Sequence, residues 1–532
     1  MARPPFGYDP KTLSRELARY YISASESDIQ EILSELGISD LDEVFSHLPK
    51  EIMMGPCSQD PELDYESLAD HLHELSLKNK AQTSFIGDGL PHYSVSPVVG
   101  PVASIRGLTT AYTPYQPERS QGTLKTLWLY SCALAELTGM EAINASLYDR
   151  STCLHEALNC ASRITRKSRA LVLEGLYPGD REVLETLVAG TKLSITWIAQ
   201  DRSTGLADML ALKKALEADD LAALVFPQVN NVGLLEDVHT LTDLAHEKRL
   251  QVISVIDPIL LASGGLVRPR EFGSKGADMI VGEGQHLAIG PNFGGPGLGV
   301  FGIRYNQQNK LAIRQTAGRF VGKAKDRAGR DCLAMVLSTR EQHIRREKAT
   351  SNICSNQSFV ATLAGASLLE RGNEGLSAMI GKARKNAQSA AQALTAFAGV
   401  KLKYPQGANF NEVALTLPGP ANELIALASD HGVQVGVPLA ERTNDERDLL
   451  ISFFDHHEDK QLEQLVQVFE KAYGKAQGSG EALKEIPKEL CSSRDPKLPR
   501  FSVKELTDYY QRLGEQNVSP DQGLYPLGSC TM

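Results

Sequence analysis

The residues best placed to do chemistry flank two apolar runs. The run VISVI (252–256) closes on Asp257 and Pro258, and a later run, ADMIV (277–281), opens into GEGQHLAIGPNFGGPGLGVFGIR (282–304). A carboxylate at a strand end can hold a protonated pyridine nitrogen. A lysine just past a later strand can condense with an aldehyde, and pyridoxal phosphate (PLP) enzymes combine the two. The plainer reading of Asp257 is a turn acid at a strand end. A second stretch, AYTPYQPERSQGTL (111–124), carries Tyr112 and Tyr115, three apart, together with Pro114 and Pro117. Proline stiffens such a loop, and each tyrosine offers a hydroxyl and a ring face, which suits a channel wall or a packed turn. A third, REQHIRREKATSNIC (340–354), gathers Arg340, His343, Arg345, Arg346 and Lys348. Such a run is ordinarily a solvated helix face, although the planar guanidinium of Arg345 or Arg346 also suits a carboxylate across an interface.

Other candidates carry less. The eight cysteines, at 57, 132, 153, 160, 332, 354, 491 and 530, form no CxxC pair with zinc spacing, so reduced thiols are expected. No spacing ties Cys354 to Cys530 as a redox pair. His456 and His457 follow an apolar run; on a strand they would point to opposite faces and share no metal.

These residues need a scaffold, and the alternation of elements describes one. The strand-like runs 170–173, 193–198, 222–226, 252–256 and 279–281 alternate with helical stretches such as 206–218 and 236–248. That pattern predicts a mostly parallel sheet covered on both faces, with ligands beyond the carboxyl ends of its strands. The 532 residues divide into a helical arm (1–75), a large α/β domain (76–330), a smaller α+β domain (331–473) and a linker with a tail (474–532). In the arm, Ser25 or Ser27 caps a helix carrying Ile29, Ile32, Leu33 and Leu36. Ser27 is preferred because Gln30 completes a capping box, and Gly37 ends the helix. The smaller domain has a long helix over 376–398, strands at 411–417, 433–437 and 449–454, and a helix over 459–473, and the tail has a helix near 502–513. The net charge of −10 argues against a nucleic-acid partner. No apolar run reaches the ~18 residues a membrane span needs. The N-terminus lacks an apolar signal region, and Asp9 and Glu16 argue against a mitochondrial presequence, so the cytoplasm is expected.

FGGPGLG, AYTPYQPERSQGTL, NASLYD (144–149) and STREQHIRREKATSNICSNQ (338–357) together resemble glycine dehydrogenase (decarboxylating), the P-protein of the glycine cleavage system. The likeness is to its N-terminal half, a separate subunit 1 in some bacteria, and covers residues 12–473. It implies the aspartate aminotransferase-like fold type I of PLP-dependent transferases. In that family the cofactor lysine stands in a VNLHKTF loop of the other half. Laid on 281–287 without a gap, that loop puts Gln285 at the lysine position, and an amide nitrogen cannot form an imine. Lys310 and Lys323 lie off the loop. The glycines at 294–299 are expected to permit close backbone packing rather than to bind phosphate.

The resemblance implies that PLP is held by a lysine-bearing subunit 2, with two copies of each subunit. It implies that Tyr112, Tyr115, Gln116, Ser120 and Gln121 line a shared channel, and that glycine and a lipoylated H-protein are the reactants. H-protein docking is a third reading of the 340–348 patch. No metal is implied. Two rivals remain: a self-sufficient PLP lyase using another lysine, and a non-catalytic assembly protein. Two departures stand out. Arg150 replaces the glycine that usually follows NASLYD, a bulky cation able to narrow a vestigial pocket. The tail FSVKELTDYYQRLGEQNVSPDQGLYPLGSCTM (501–532) resembles the opening of the lysine-bearing half. Either the frame is cut from a fused enzyme or the split point has moved, and the linker before the tail favours the second.

Overall fold

The computed structural model describes residues 5, 25–53, 63–110, 116–307, 309–336, 349–351 and 355–519. The chain separates into two compact units, residues 1–81 and 82–532.

The first unit contains two amphipathic helices, α1 (Glu26–Leu36) and α2 (Tyr65–Leu77). The cap of α1 is Ser25, not Ser27. The Asp28 backbone N–H donates to Ser25 Oγ at 3.3 Å, and the Asp28 carboxylate accepts the Ser25 N–H at 2.7 Å. Aspartate at the third position thus closes the box expected of Gln30. Gly37 ends the helix in the left-handed region, at φ 71°.

The second unit is built on a seven-stranded sheet. Its strands are β1 (Ala142–Ile143), β2 (Arg169–Leu173), β3 (Ser194–Ile198), β4 (Leu221–Pro227), β5 (Gln251–Ile256), β6 (Met279–Glu283) and β7 (Gly299–Ile303). They lie in the order β1-β7-β6-β5-β4-β2-β3. From β6 to β3 every pair is parallel, whereas β7 runs antiparallel to both neighbours. Alternate residues enter two cores. Leu171, Leu224 and Val252 point to one face, and Val172, Val225 and Ile253 to the other. A sheet that is apolar on both faces must be covered on both.

One cover contains α3 (Gln121–Thr138) and the long helix α4 (Ser355–Leu394), which is broken at Gly372. The two are joined by a buried hydrogen bond of 2.8 Å between the Thr126 and Thr362 hydroxyls. The other cover contains α5 (Arg150–Thr165). A four-stranded sheet (401–402, 412–416, 448–452 and 437–438) has a core of its own, shared with Leu465, Val468 and Phe469 of α6 (Asp459–Tyr473). The non-helical backbone at Gly372 (φ 56°) divides α4 into two helices, and the helix expected over 376–398 is the second of them.

The stretch expected to be a linker is docked. Val267 N–H donates to the Leu490 carbonyl, Ser492 N–H to the Gly265 carbonyl, and Asn373 N–H to the Leu498 carbonyl. The tail helix α7 (Val503–Gly514) buries Leu506, Tyr510 and Leu513. A Cβ on Gly122 would stand 1.8 Å from the Leu513 carbonyl oxygen, so α3 admits the tail only where it lacks a side chain. Among the described residues, no helix is long and apolar enough to cross a membrane.

Candidate functional site

The parallel strands end around one cavity. Its wall includes Arg150 from the start of α5, Asp257 just after β5, Glu283 at the end of β6, His286 just beyond it, Tyr177 and Glu412. This is where ligands sit in such sheets. The free volume is only about 50 Å³, against the ~300–1,000 Å³ of ordinary small-molecule sites.

The side chains fill the space by binding one another. Arg150 donates through Nε to Asp180 at 2.7 Å, through a terminal nitrogen to the Gly89 carbonyl, and lies 5.1 Å over the Tyr177 ring. Burial would lower the guanidinium pKa, but Asp180, Glu283 and Tyr177 raise it above its ordinary value. Asp180 also accepts from Ser151 Oγ at 2.7 Å. Glu283 takes three backbone N–H groups on one oxygen, from Gly284 at 3.1 Å, Gln285 at 2.9 Å and Leu298 at 2.8 Å. Burial pushes its pKa up, opposed by those hydrogen bonds and by Arg150. Tyr177 donates to Glu412 at 3.0 Å, and Ser452 donates to the other Glu412 oxygen at 2.8 Å.

These contacts leave no place for PLP. The Gln285 amide, at the expected lysine position, donates to the Gly290 carbonyl at 2.9 Å. Asp257 accepts from His286 Nε2 at 2.8 Å and from the Ile259 N–H at 3.1 Å, so it serves as a turn acid with a histidine partner. The N-terminus of α5, a natural phosphate seat, holds the carboxylate of Asp149, which accepts the Thr152 N–H at 2.7 Å. An adjoining open cleft of about 290 Å³ is lined by Asp88, Asp149, Asp180 and Glu283 beside Arg150, a repulsive surface for a phosphate. The residues do not fit the cofactor.

The glycine-rich return from this loop does pack closely in part. A Cβ on Gly299 would come 2.7 Å from the Asp149 carbonyl. Phe293, at the loop's tip, is fully exposed with φ 32°.

Of the channel residues, Gln116 is half-buried. Ser120 is buried and pairs with Asn517 of the tail through the backbone. The Gln121 amide donates to the Leu333 carbonyl at 2.9 Å and accepts the Leu333 N–H at 3.1 Å, fastening a hairpin to α3. Tyr112, Tyr115, Arg340, His343, Arg345, Arg346, Lys348, Cys354 and Cys530 lie outside the described residues. His456 and His457 stand in a turn, not on a strand, because the strand ends at Ser452. Their rings are 4.4 Å apart. His457 accepts the Phe454 N–H at 3.1 Å and donates to the Ser84 carbonyl at 2.9 Å. Burial above all, then His456, pushes its pKa down to about 3. Sequence reasoning did not single out Glu283, His286, Tyr177, Asp180 or Glu412. Only Glu283 and His286 carried a signal, their closeness to Gln285.

The sequence profile of the "Glycine cleavage system P-protein" family matches residues 19–469. "Probable glycine dehydrogenase (decarboxylating) subunit 1" of Thioalkalivibrio sulfidiphilus is 37% identical over 81% of this chain and 94% of its own length. The protein of that name from Solidesulfovibrio magneticus is 38% identical over 85% of this chain and 99% of its own. A crystal structure of glycine decarboxylase (P-protein) of the glycine cleavage system, in inhibitor-bound form, aligns with a TM-score of 0.74 at 32% identity, covering 85% of this chain and 99% of that one. A NifS-like protein from Rickettsia africae aligns at 0.51 and 12% identity over 73% of this chain and 99% of its own, a likeness of fold alone. The chain belongs to the glycine cleavage system P-protein family.

Proposed function

We propose that this chain is the lysine-less subunit of a glycine decarboxylase, and that it shapes an active site whose PLP is held by a lysine-bearing partner subunit. The overall reaction converts glycine and lipoylated H-protein to aminomethyl H-protein and CO2. The observation that carries the reading is the filled pocket: the Gln285 amide is bonded to the Gly290 carbonyl, Asp149 caps the start of α5, and Arg150 is bound by Asp180. In this reading Tyr112, Tyr115, Gln116 and Gln121 belong to the stretch that faces the partner's cofactor, and Ser120 anchors it to the tail. The 340–348 patch binds the partner or receives H-protein. Two copies of each subunit assemble in the cytoplasm, and an obligate interface of this kind buries upward of ~2,000 Å2.

The test is glycine–bicarbonate exchange with PLP and H-protein, run with this chain alone and then with the lysine-bearing subunit. Exchange only in the mixture is the expected result. Exchange by the single chain would overturn the reading.

A further inference from the structure

Outside the filled pocket, one cleft collects cations that have no carboxylate partner among the described residues. It measures about 500 Å³ and lies between α3, the tail helix α7 and the hairpin Phe320–Lys325/Asp331–Val336. Lys125 and Trp128 come from α3, Lys323 from the hairpin, and Tyr509 and Arg512 from α7. Lys323 Nζ stands 5.8 Å from the Trp128 ring centre, and Arg512 Cζ stands 5.7 Å from that of Tyr509. Lys125 and Lys323 are both close enough to the Cys132 thiol to draw its pKa down against the larger, raising effect of burial. Asp331, the one acid on the wall, is engaged by Lys325 at 2.5 Å. Among the described residues, Lys125, Lys323 and Arg512 make no ion pair.

Three cations from three elements repel one another across a cleft. On a chain of net charge −10, an arrangement without counter-charge is unfavourable unless an anion is received. Two of the three are held against aromatic faces, which limits their freedom and orients them before a ligand arrives. The volume lies within the ~300–1,000 Å³ range of small-molecule sites. We propose that this cleft binds a small polyanion, a ligand bearing two or more adjacent negative charges on phosphate or carboxylate groups. The site shares no residue with the filled pocket and does not depend on where the PLP is held.

The chain has two tryptophans, Trp128 and Trp197, so a Trp197→Phe background makes Trp128 the sole indole reporter. Pyrophosphate and citrate are titrated separately at low ionic strength while Trp128 emission is followed, with sodium chloride at matched ionic strength as control. The same titrations follow for Lys323→Gln/Arg512→Gln, both surface positions, with unfolding midpoints checking that the variant folds. A saturable change absent from the salt control, and weakened about tenfold or more in the double variant, equivalent to ~1.4 kcal/mol, supports the site. A response to pyrophosphate alone assigns phosphate ligands, and one to citrate alone assigns carboxylates. No saturable response to either anion, or equal affinity in the folded double variant, overturns the proposal.

Discussion

Arg150→Ala removes the cation at the centre of the filled pocket. Its side chain is 14% exposed and that of its partner Asp180 only 2%. Breaking a buried pair from one side leaves the other charge stranded, which costs about 3–5 kcal/mol. Two details place the loss near the lower bound. Ser151 still donates to Asp180, and the vacated space adjoins the open cleft, so water can reach the carboxylate. Loss of the contact with Tyr177 adds ~1 kcal/mol. The expected destabilisation is therefore about 3–4 kcal/mol. The assay is equilibrium urea unfolding of the purified chain, with Lys504→Ala as comparator. Lys504 pairs with Asp508 at 2.7 Å, but the two are 84% and 52% exposed, and such a pair contributes ~0.2–1 kcal/mol. If the two variants unfold at the same urea concentration, the Arg150 network is not what holds this pocket closed.

Four further outcomes are expected. Gln285→Lys alone gives no borohydride-reducible PLP absorbance and no glycine–bicarbonate exchange, because Asp149, Arg150 and His286 still occupy the site; a reducible band would refute this. Tyr115→Phe lowers turnover of the assembled complex without changing its elution volume, and unchanged turnover removes the hydroxyl from the mechanism. Gly122→Ala forces the tail helix off α3, so the chain is clipped near residue 500 by a protease dose that spares the wild type, and equal resistance counts against the docking. His457 lies at about 3 when folded and near ~6.5 when unfolded. The unfolded chain therefore binds the extra proton, and stability is full above pH ~6.5 and falls by up to ~1.4 kcal/mol per pH unit on acidification. His457→Asn should flatten urea midpoints measured from pH 7 to pH 5 relative to the wild type, and parallel curves would show that the ring is not the titrating group.

The order of elements was legible because it follows from periodicity. The run 222–226 is apolar at every position and 252–256 at all but Ser254, and the folded strands alternate their residues between two apolar cores. The filling of the pocket was legible only at Gln285 and Arg150, where a residue type departs from what a ligand site needs. Tyr177 and Asp180 share one turn, but Arg150, Glu283 and Glu412 come from segments far from it in sequence, and nothing in their local pattern shows that they meet. The docked 474–500 stretch was misread for a related reason. Its glycine, serine and proline content describes its backbone preferences, whereas its placement depends on backbone partners at Gly265, Val267 and Asn373 that composition cannot reveal.

If the PLP is held by the partner subunit, as proposed, the filled pocket lets this fold stand without it. A sheet whose strand ends converge with a helix N-terminus makes a concave, positively polarised site. Left open, it would expose backbone donors and buried carboxylates to an unbalanced field. Here Asp149 supplies the anion at the helix start, Arg150 balances Asp180 and Glu283, and His286 engages Asp257. Each replacement is a side chain already tethered to the fold, so no ligand has to be captured and no binding equilibrium sets its occupancy. The rigidity of this half is then independent of PLP concentration. Adding PLP should stabilise the assembled complex through its partner alone, and it should leave the urea midpoint of this chain by itself where it was. A midpoint that rises with PLP would mean that the side chains described here give way to the cofactor.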